Sequence, residues 1–135
     1  MFSRTLKYAV IGLAQLALRG GGPSPVRELA RGAGIPYPFL AKLVPPLVRA
    51  GILISARGRG GGVRFGRPPE RISLADIVRA LEGEEYLWDC PFVLDPCPGK
   101  RECPLAPLWD PVREELVRFL ERTTLADIAR GKEEE

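Results

Sequence analysis

Histidine is absent from this 135-residue chain. That removes Ser-His-Asp and Cys-His nucleophile pairs, H-E-x-x-H zinc hydrolysis and every imidazole metal ligand. The carboxylates that remain fall in no recognisable pair spacing, so no catalytic residue is assigned and an enzyme is not expected. Long apolar runs are missing too. None approaches the ~18 residues of a membrane span, so no membrane partner is expected. Acidic residues are almost missing from the first half. Through residue 71 only Glu28 and Glu70 oppose twelve Lys and Arg, a net +10, whereas residues 72–135 carry 15 acidic against 8 basic, a net −7. A half this basic points to a polyanionic partner.

Cysteine is scarce, and its placement is the most informative feature. Cys90, Cys97 and Cys103 are the only three, and all fall in the proline-rich run CPFVLDPCPGKREC. An irregular loop can turn three side chains toward one centre, as a soft metal or an iron–sulfur cluster requires. An odd count excludes full internal disulfide pairing. The opening MFSRTLKYAVIGLAQLALRG is read as a first helix and not as a signal peptide. Tyr8, Leu13, Leu16 and Ala17 fit a helical stripe, and no small-x-small cleavage pattern follows. The chain is therefore placed in the cytoplasm, where a reducing environment favours metal over disulfide.

Along the chain, residues 4–18 read as an amphipathic helix ended by Gly20–Pro23. Val26, Leu29, Ala30 and Ala33 mark a short second helix. Phe39, Leu40, Leu43, Leu47 and Val48 form the apolar face of a third, stopped at Gly51. Pro45 and Pro46 remove backbone donors inside it and should kink it. Two helices joined by a glycine-containing turn make a helix-turn-helix. Ile52–Ser55 and Val63–Phe65 then read as strands around the basic tip R-G-R-G-G-G, whose glycines would let backbone amides approach a phosphate. A helix-turn-helix followed by such a hairpin is a winged helix.

Beyond Pro68 and Pro69, Ser73 caps a fourth helix with Ile77, Val78 and Leu81 inside, and Thr124–Asp127 repeats the same capping pattern. Between them, residues 108–122 carry Val112, Leu116, Phe119 and Leu120 as one apolar stripe with no evident partner in a small winged domain. Packing that stripe on a second copy solves the exposure, and a two-fold dimer presents two reading heads to a palindrome. The expected chain is mainly α: a winged helix-turn-helix DNA-binding domain over 1–71, and over 72–135 a dimerisation region carrying the cysteine loop 90–103.

These residues together resemble the Rrf-type family of bacterial winged-helix transcription regulators, the group of IscR, NsrR and CymR. The resemblance rests on Lys7–Val10, Leu29-Ala30, Gly34-Ile35, Phe39-Leu40 and Leu47–Ile52 in the reading head. It continues through Arg57-Gly58 with Gly60–Gly62, Arg67–Glu70, Ile72–Ile77, Leu81–Gly83, the three cysteines, Pro107–Trp109 and Thr124–Ile128. It spans nearly the whole chain in the family's order. It implies a dimeric DNA-binding repressor or activator with a 2Fe–2S or 4Fe–4S cluster on Cys90, Cys97 and Cys103, and a wing Arg57 that enters the minor groove. The DNA-facing set is then Tyr37, Phe39, Lys42, Arg57, Arg59 and Arg64.

The chain departs from the family at three places. The histidine that some members carry three residues after the third cysteine is Ala106, and the aspartate that others carry in the first helix is Lys7. The fourth ligand is thus unassigned, with Asp89, Asp95 and Glu102 as nearby carboxylates. The family's acidic-then-amide pair in the recognition helix is Ala41-Lys42, so Lys42 would meet phosphate or guanine and the operator should differ. Two other readings stand beside this one. In one, the same DNA binder uses zinc or thiol chemistry, or is controlled by a small molecule or partner, with no iron. In the other, the chain is a small electron-transfer or cluster-carrier protein, which needs four sulfur ligands and leaves the basic half unexplained.

Overall fold

The computed structural model describes residues 3–56, 58, 60–88, 90 and 103–134, the last three by backbone alone. Helix α1 (Arg4–Leu18) starts where the Ser3 hydroxyl accepts the Leu6 N–H, and it buries Leu6, Ala9, Leu13 and Leu16 along one stripe. Helix α2 (Val26–Ala33) turns at Gly34, whose left-handed φ of 70° ends the helix without a Cβ penalty, into α3 (Tyr37–Arg49). Leu40, Leu43 and Leu47 of α3 face inward, and Val48 is half-buried. The helix continues as α-helix through Pro45 and Pro46. Gly12 lets α3 come close to α1, since a Cβ there would lie 2.8 Å from Leu40 Cδ1.

Strands β1 (Leu53–Ala56) and β2 (Gly62–Phe65) pair antiparallel with Leu53 opposite Phe65 and Ala56 opposite Gly62. The helix-turn-helix and its wing are therefore both present. The segment before α2 adds a third rung that the sequence does not announce. Ser24 and Val63 exchange both backbone hydrogen bonds at 2.9 Å, and the Phe65 N–H donates to the Gly21 carbonyl at 3.1 Å. This assigns Gly62 a job other than phosphate approach. At φ 131°, a Cβ on it would fall 2.0 Å from the Ser24 carbonyl oxygen. Backbone meeting backbone has no rotamer to relieve it. Gly62→Ala is expected to cost about 3 kcal/mol or more, read as a lower urea midpoint at unchanged slope.

A single 3-10 turn (Pro69–Arg71) leads to α4 (Leu74–Glu82), which begins in a reciprocal capping box between Ser73 and Asp76. A second 3-10 segment (Glu84–Trp88) follows. Helix α5 (Ala106–Arg122) lies against α4, and α6 (Leu125–Glu134) lies against α1. Thr124 and Asp127 form a second capping box, and the two boxes dock on each other. The Leu74 N–H donates to the Thr123 carbonyl and the Leu125 N–H to the Ile72 carbonyl, both at 2.9 Å. One hydrophobic core runs from Leu6 through Leu47, Ile52, Ile72 and Ile77 to Val117, Leu120 and Leu125. No helix among the described residues is long and apolar enough to cross a membrane.

The expected single stripe on α5 is divided in the structure. Leu120 turns into the chain's own core together with Val117, and Leu116 is half-buried against it. Val112 and Phe119 stay outside, 54% and 46% exposed, joined by Leu108 at 75%. The reason is geometric: α5 turns positions 113, 117 and 120 inward, and this rotates 108, 112 and 119 toward solvent.

Candidate nucleic-acid interface and cysteine site

Helix α3 is the second helix of the helix-turn-helix and buries one face, so its opposite face is the one a groove can meet. Pro38, Phe39, Lys42, Pro45 and Arg49 are exposed there, with Pro46 half-buried. Phe39 is fixed by an edge-to-face contact with Tyr8, ring centroids 5.1 Å apart at 80°. Tyr37, half-buried at the start of α3, lies under the Arg27 guanidinium, 4.1 Å from ring centroid to Cζ. Arg27 and Arg49 join the basic face without having been assigned to it from sequence. The spacing of Arg49, seven residues after Lys42, could have found the latter. Nothing local could have found the former, because its stacking is tertiary. On the wing, Arg64 is exposed beside the buried Val63. Arg57 and Arg59 lie outside the described residues.

Of the sulfur donors, Cys90 is exposed and Cys103 half-buried, and both are free thiols. Cys97 lies outside the described residues, as do the carboxylates Asp89, Asp95 and Glu102. Among the described residues no group of three or more His, Cys, Asp or Glu could hold a metal ion. Ala106, three residues after Cys103, is the first residue of α5.

The flanks of the cysteine segment are held by a buried cation. Arg113 of α5 is 5% exposed, pairs with Asp110 at 2.8 Å, and donates to the Trp88 carbonyl at 3.3 Å. Its guanidinium also sits 5.7 Å from the Trp88 ring centroid, and its Nε has no hydrogen-bond partner among the described residues. Trp88 precedes Cys90 by two residues and α5 begins three residues after Cys103, so Arg113 joins the two sides of the segment. A second set of charges links this region to the wing's exit. Arg79 on α4 pairs with Glu84, with Glu121 of α5 at 3.0 Å and with Asp76 at 4.0 Å, while Arg67 reaches Asp76 at 3.1 Å. The hydrogen bond from Arg79 holds the Glu84 carboxyl below the usual carboxylate range.

Between α1, α4 and α5 an apolar groove of about 370 Å³ is open to solvent, lined by Leu6, Val10, Ile11, Leu74, Ile77 and Phe119 among others. Phe119, one of the exposed α5 residues, stands on its rim.

The family model described as Rrf2, iron-dependent transcriptional regulator, matches residues 2–131. The regulator CymR of Bacillus subtilis is 34% identical over 91% of this chain and 85% of its own length. The structure of that protein, a global cysteine regulator, superposes with a TM-score of 0.78 at 33% identity, covering 96% of each chain. The repressor NsrR of Streptomyces coelicolor is 34% identical over 89% of this chain and 82% of its own. IscR of T. potens gives a TM-score of 0.74 at 26% identity, over 99% of this chain and 89% of that one.

Proposed function

The chain belongs to the Rrf2 family of transcriptional regulators and not to an enzyme family, and from that premise we propose that it is a dimeric sensor. It binds a palindromic duplex through residues 1–71 and reports the state of an iron–sulfur cluster carried by residues 72–135. Such a regulator works beside the chromosome, in the cytoplasm. Tyr37, Phe39, Lys42, Arg57, Arg59 and Arg64 would form the DNA-facing set, with Arg27 and Arg49 added to it. The observation that carries the reading is the placing of every cysteine of a histidine-free chain in one segment next to a family-typical reading head.

Cys90, Cys97 and Cys103 would hold the cluster. The donor chemistry fits: sulfur without imidazole suits iron–sulfur clusters and zinc and disfavours hard cations. The cluster, when bound, supplies a redox- and nitric-oxide-reactive iron centre. The chain's own contribution is to orient the thiols, through Arg113 on both flanks, and to carry changes there to α5 and α4 through Glu84, Arg79 and Asp76.

The second copy is expected on the face formed by Leu108, Val112 and Phe119 of α5 and by the groove beside α1. These exposed side chains leave water when a two-fold mate covers them, each large one contributing roughly 1.5–3 kcal/mol.

A second reading is favoured by the similarity to CymR across nearly the whole of both chains: the same DNA binder with its thiols acting without iron. Purification without oxygen, with iron and sulfide analysis and an absorption spectrum, separates the two. Under the cluster reading the protein is brown, and Cys103→Ser or Cys90→Ser reduces iron, sulfide and visible absorbance to background. A colourless protein with stoichiometric free thiols or zinc selects the second reading.

A further inference from the structure

The outward face of α3 has an unusual composition for a surface that reads bases. Positions 38, 42, 45 and 49 follow one another at helical spacing, with 39 and 46 beside them, and hold Pro38, Phe39, Lys42, Pro45, Pro46 and Arg49. Apart from the two cations the face offers no side-chain hydrogen bonds, and none of its side chains is an acceptor. Arg49 is the last residue of the helix, while base contacts come mainly from the first turns of a recognition helix. On this exposed face that leaves Lys42 as the hydrogen-bonding reader, set among proline rings and a phenyl edge fixed against Tyr8, while the half-buried Tyr37 at the start of the helix has its ring face taken by the Arg27 guanidinium.

The major groove presents few groups that such a face can distinguish. A lysine finds paired acceptors only on guanine, at O6 and N7. The donor groups of cytosine and adenine need an acceptor, which is missing here. Apolar surface finds the thymine 5-methyl. We infer that the half-site read by α3 is a guanine flanked by A·T pairs whose thymine methyls pack on Pro38, Phe39 and Pro45. The inference rests on the DNA-binding reading above and names the substrate class of that same surface. The flanking cations Arg27 and Arg64 supply phosphate contacts that hold register and carry no sequence information.

The test uses the full chain, purified without oxygen, and a randomised duplex pool. Selection should enrich a half-site with one guanine and adjacent thymines. In the selected duplex, deoxyuracil in place of each such thymine removes only a methyl group and should weaken binding by ~4-fold per position. Lys42→Met keeps the methylene stem and removes the donor. It should bring a preference for guanine of roughly tenfold down to near parity, with affinity for the selected duplex falling by about the same factor and affinity for duplexes lacking the guanine little changed. Sequence-selective binding that is indifferent to deoxyuracil, or a guanine preference that survives Lys42→Met, overturns the inference and leaves the DNA-binding reading standing. Failure to retain any duplex removes both.

Discussion

Raising the salt from about 50 to about 200 mM should weaken duplex binding by roughly 10³-fold or more. The size follows from counterion release. Each neutralised phosphate contributes a slope of about −0.9 in log affinity against log salt, and a dimer doubles whatever set one protomer supplies. The basic half concentrates twelve cations against two acids, and the described ones on the reading face (Arg27, Lys42, Arg49 and Arg64) are exposed. Fluorescence anisotropy over a potassium chloride series gives the slope. Arg64→Ala should reduce its magnitude by about 1 for each protomer's contact, without changing which sequence is preferred, since a phosphate contact is blind to base identity. Arg27→Ala should do the same and also free the Tyr37 ring. A slope near zero would remove nucleic acid from the account of this chain. Net charge alone does not make this forecast; the folded arrangement does, because it gathers these cations on α2, α3 and the wing.

The first helix was legible as residues 4–18, and the wing strands lay within one residue of where β-prone runs placed them, because local period and glycine punctuation decide such elements. Side-chain direction on α5 was less legible. Its apolar residues occupy two faces, and only the presence of α4 beneath it decides that Val117 and Leu120 turn inward while Val112 and Phe119 do not. A cation was also invisible as a core residue. Arg113 sits among glutamates in the sequence and reads as surface, yet it is buried because Trp88 and Asp110 meet it from two elements. The rung between Ser24 and Val63 pairs residues 39 apart, and no local pattern signals it. The exposed side of α3 and the exposed Arg64 on the wing were therefore legible. The clamp at the cysteine segment was not.

That clamp leads to the second large effect, and to an order of stabilities that runs against intuition. Asp110→Ala should destabilise the protein more than Arg113→Met, although the arginine is the buried partner. Without Asp110 the guanidinium, its side chain 6% exposed, keeps, among the described residues, the Trp88 carbonyl at 3.3 Å and the Trp88 ring as neighbours for its charge. Breaking a buried pair in this direction costs 3–5 kcal/mol in general. A discount for Asp110, whose side chain is a third exposed, leaves about 2–3 kcal/mol. Arg113→Met removes the charge and fills similar volume, while Asp110 returns to water, so about 1 kcal/mol or less is expected. Urea unfolding of the metal-free protein measures both, and the opposite order would mean that the guanidinium is not held as a desolvated charge. The same pair of variants separates stability from site geometry. Arg113→Met, nearly as stable as the parent, has lost the hydrogen bond that ties Trp88 to α5, and with it the fixed approach of the two flanks of the cysteine segment. If that approach prepares the thiols for the proposed cluster, the methionine variant assembled without oxygen should hold iron at least tenfold more weakly, within the 10–100-fold range typical of lost supporting contacts. Undiminished metal content in that variant would assign Arg113 to the core alone.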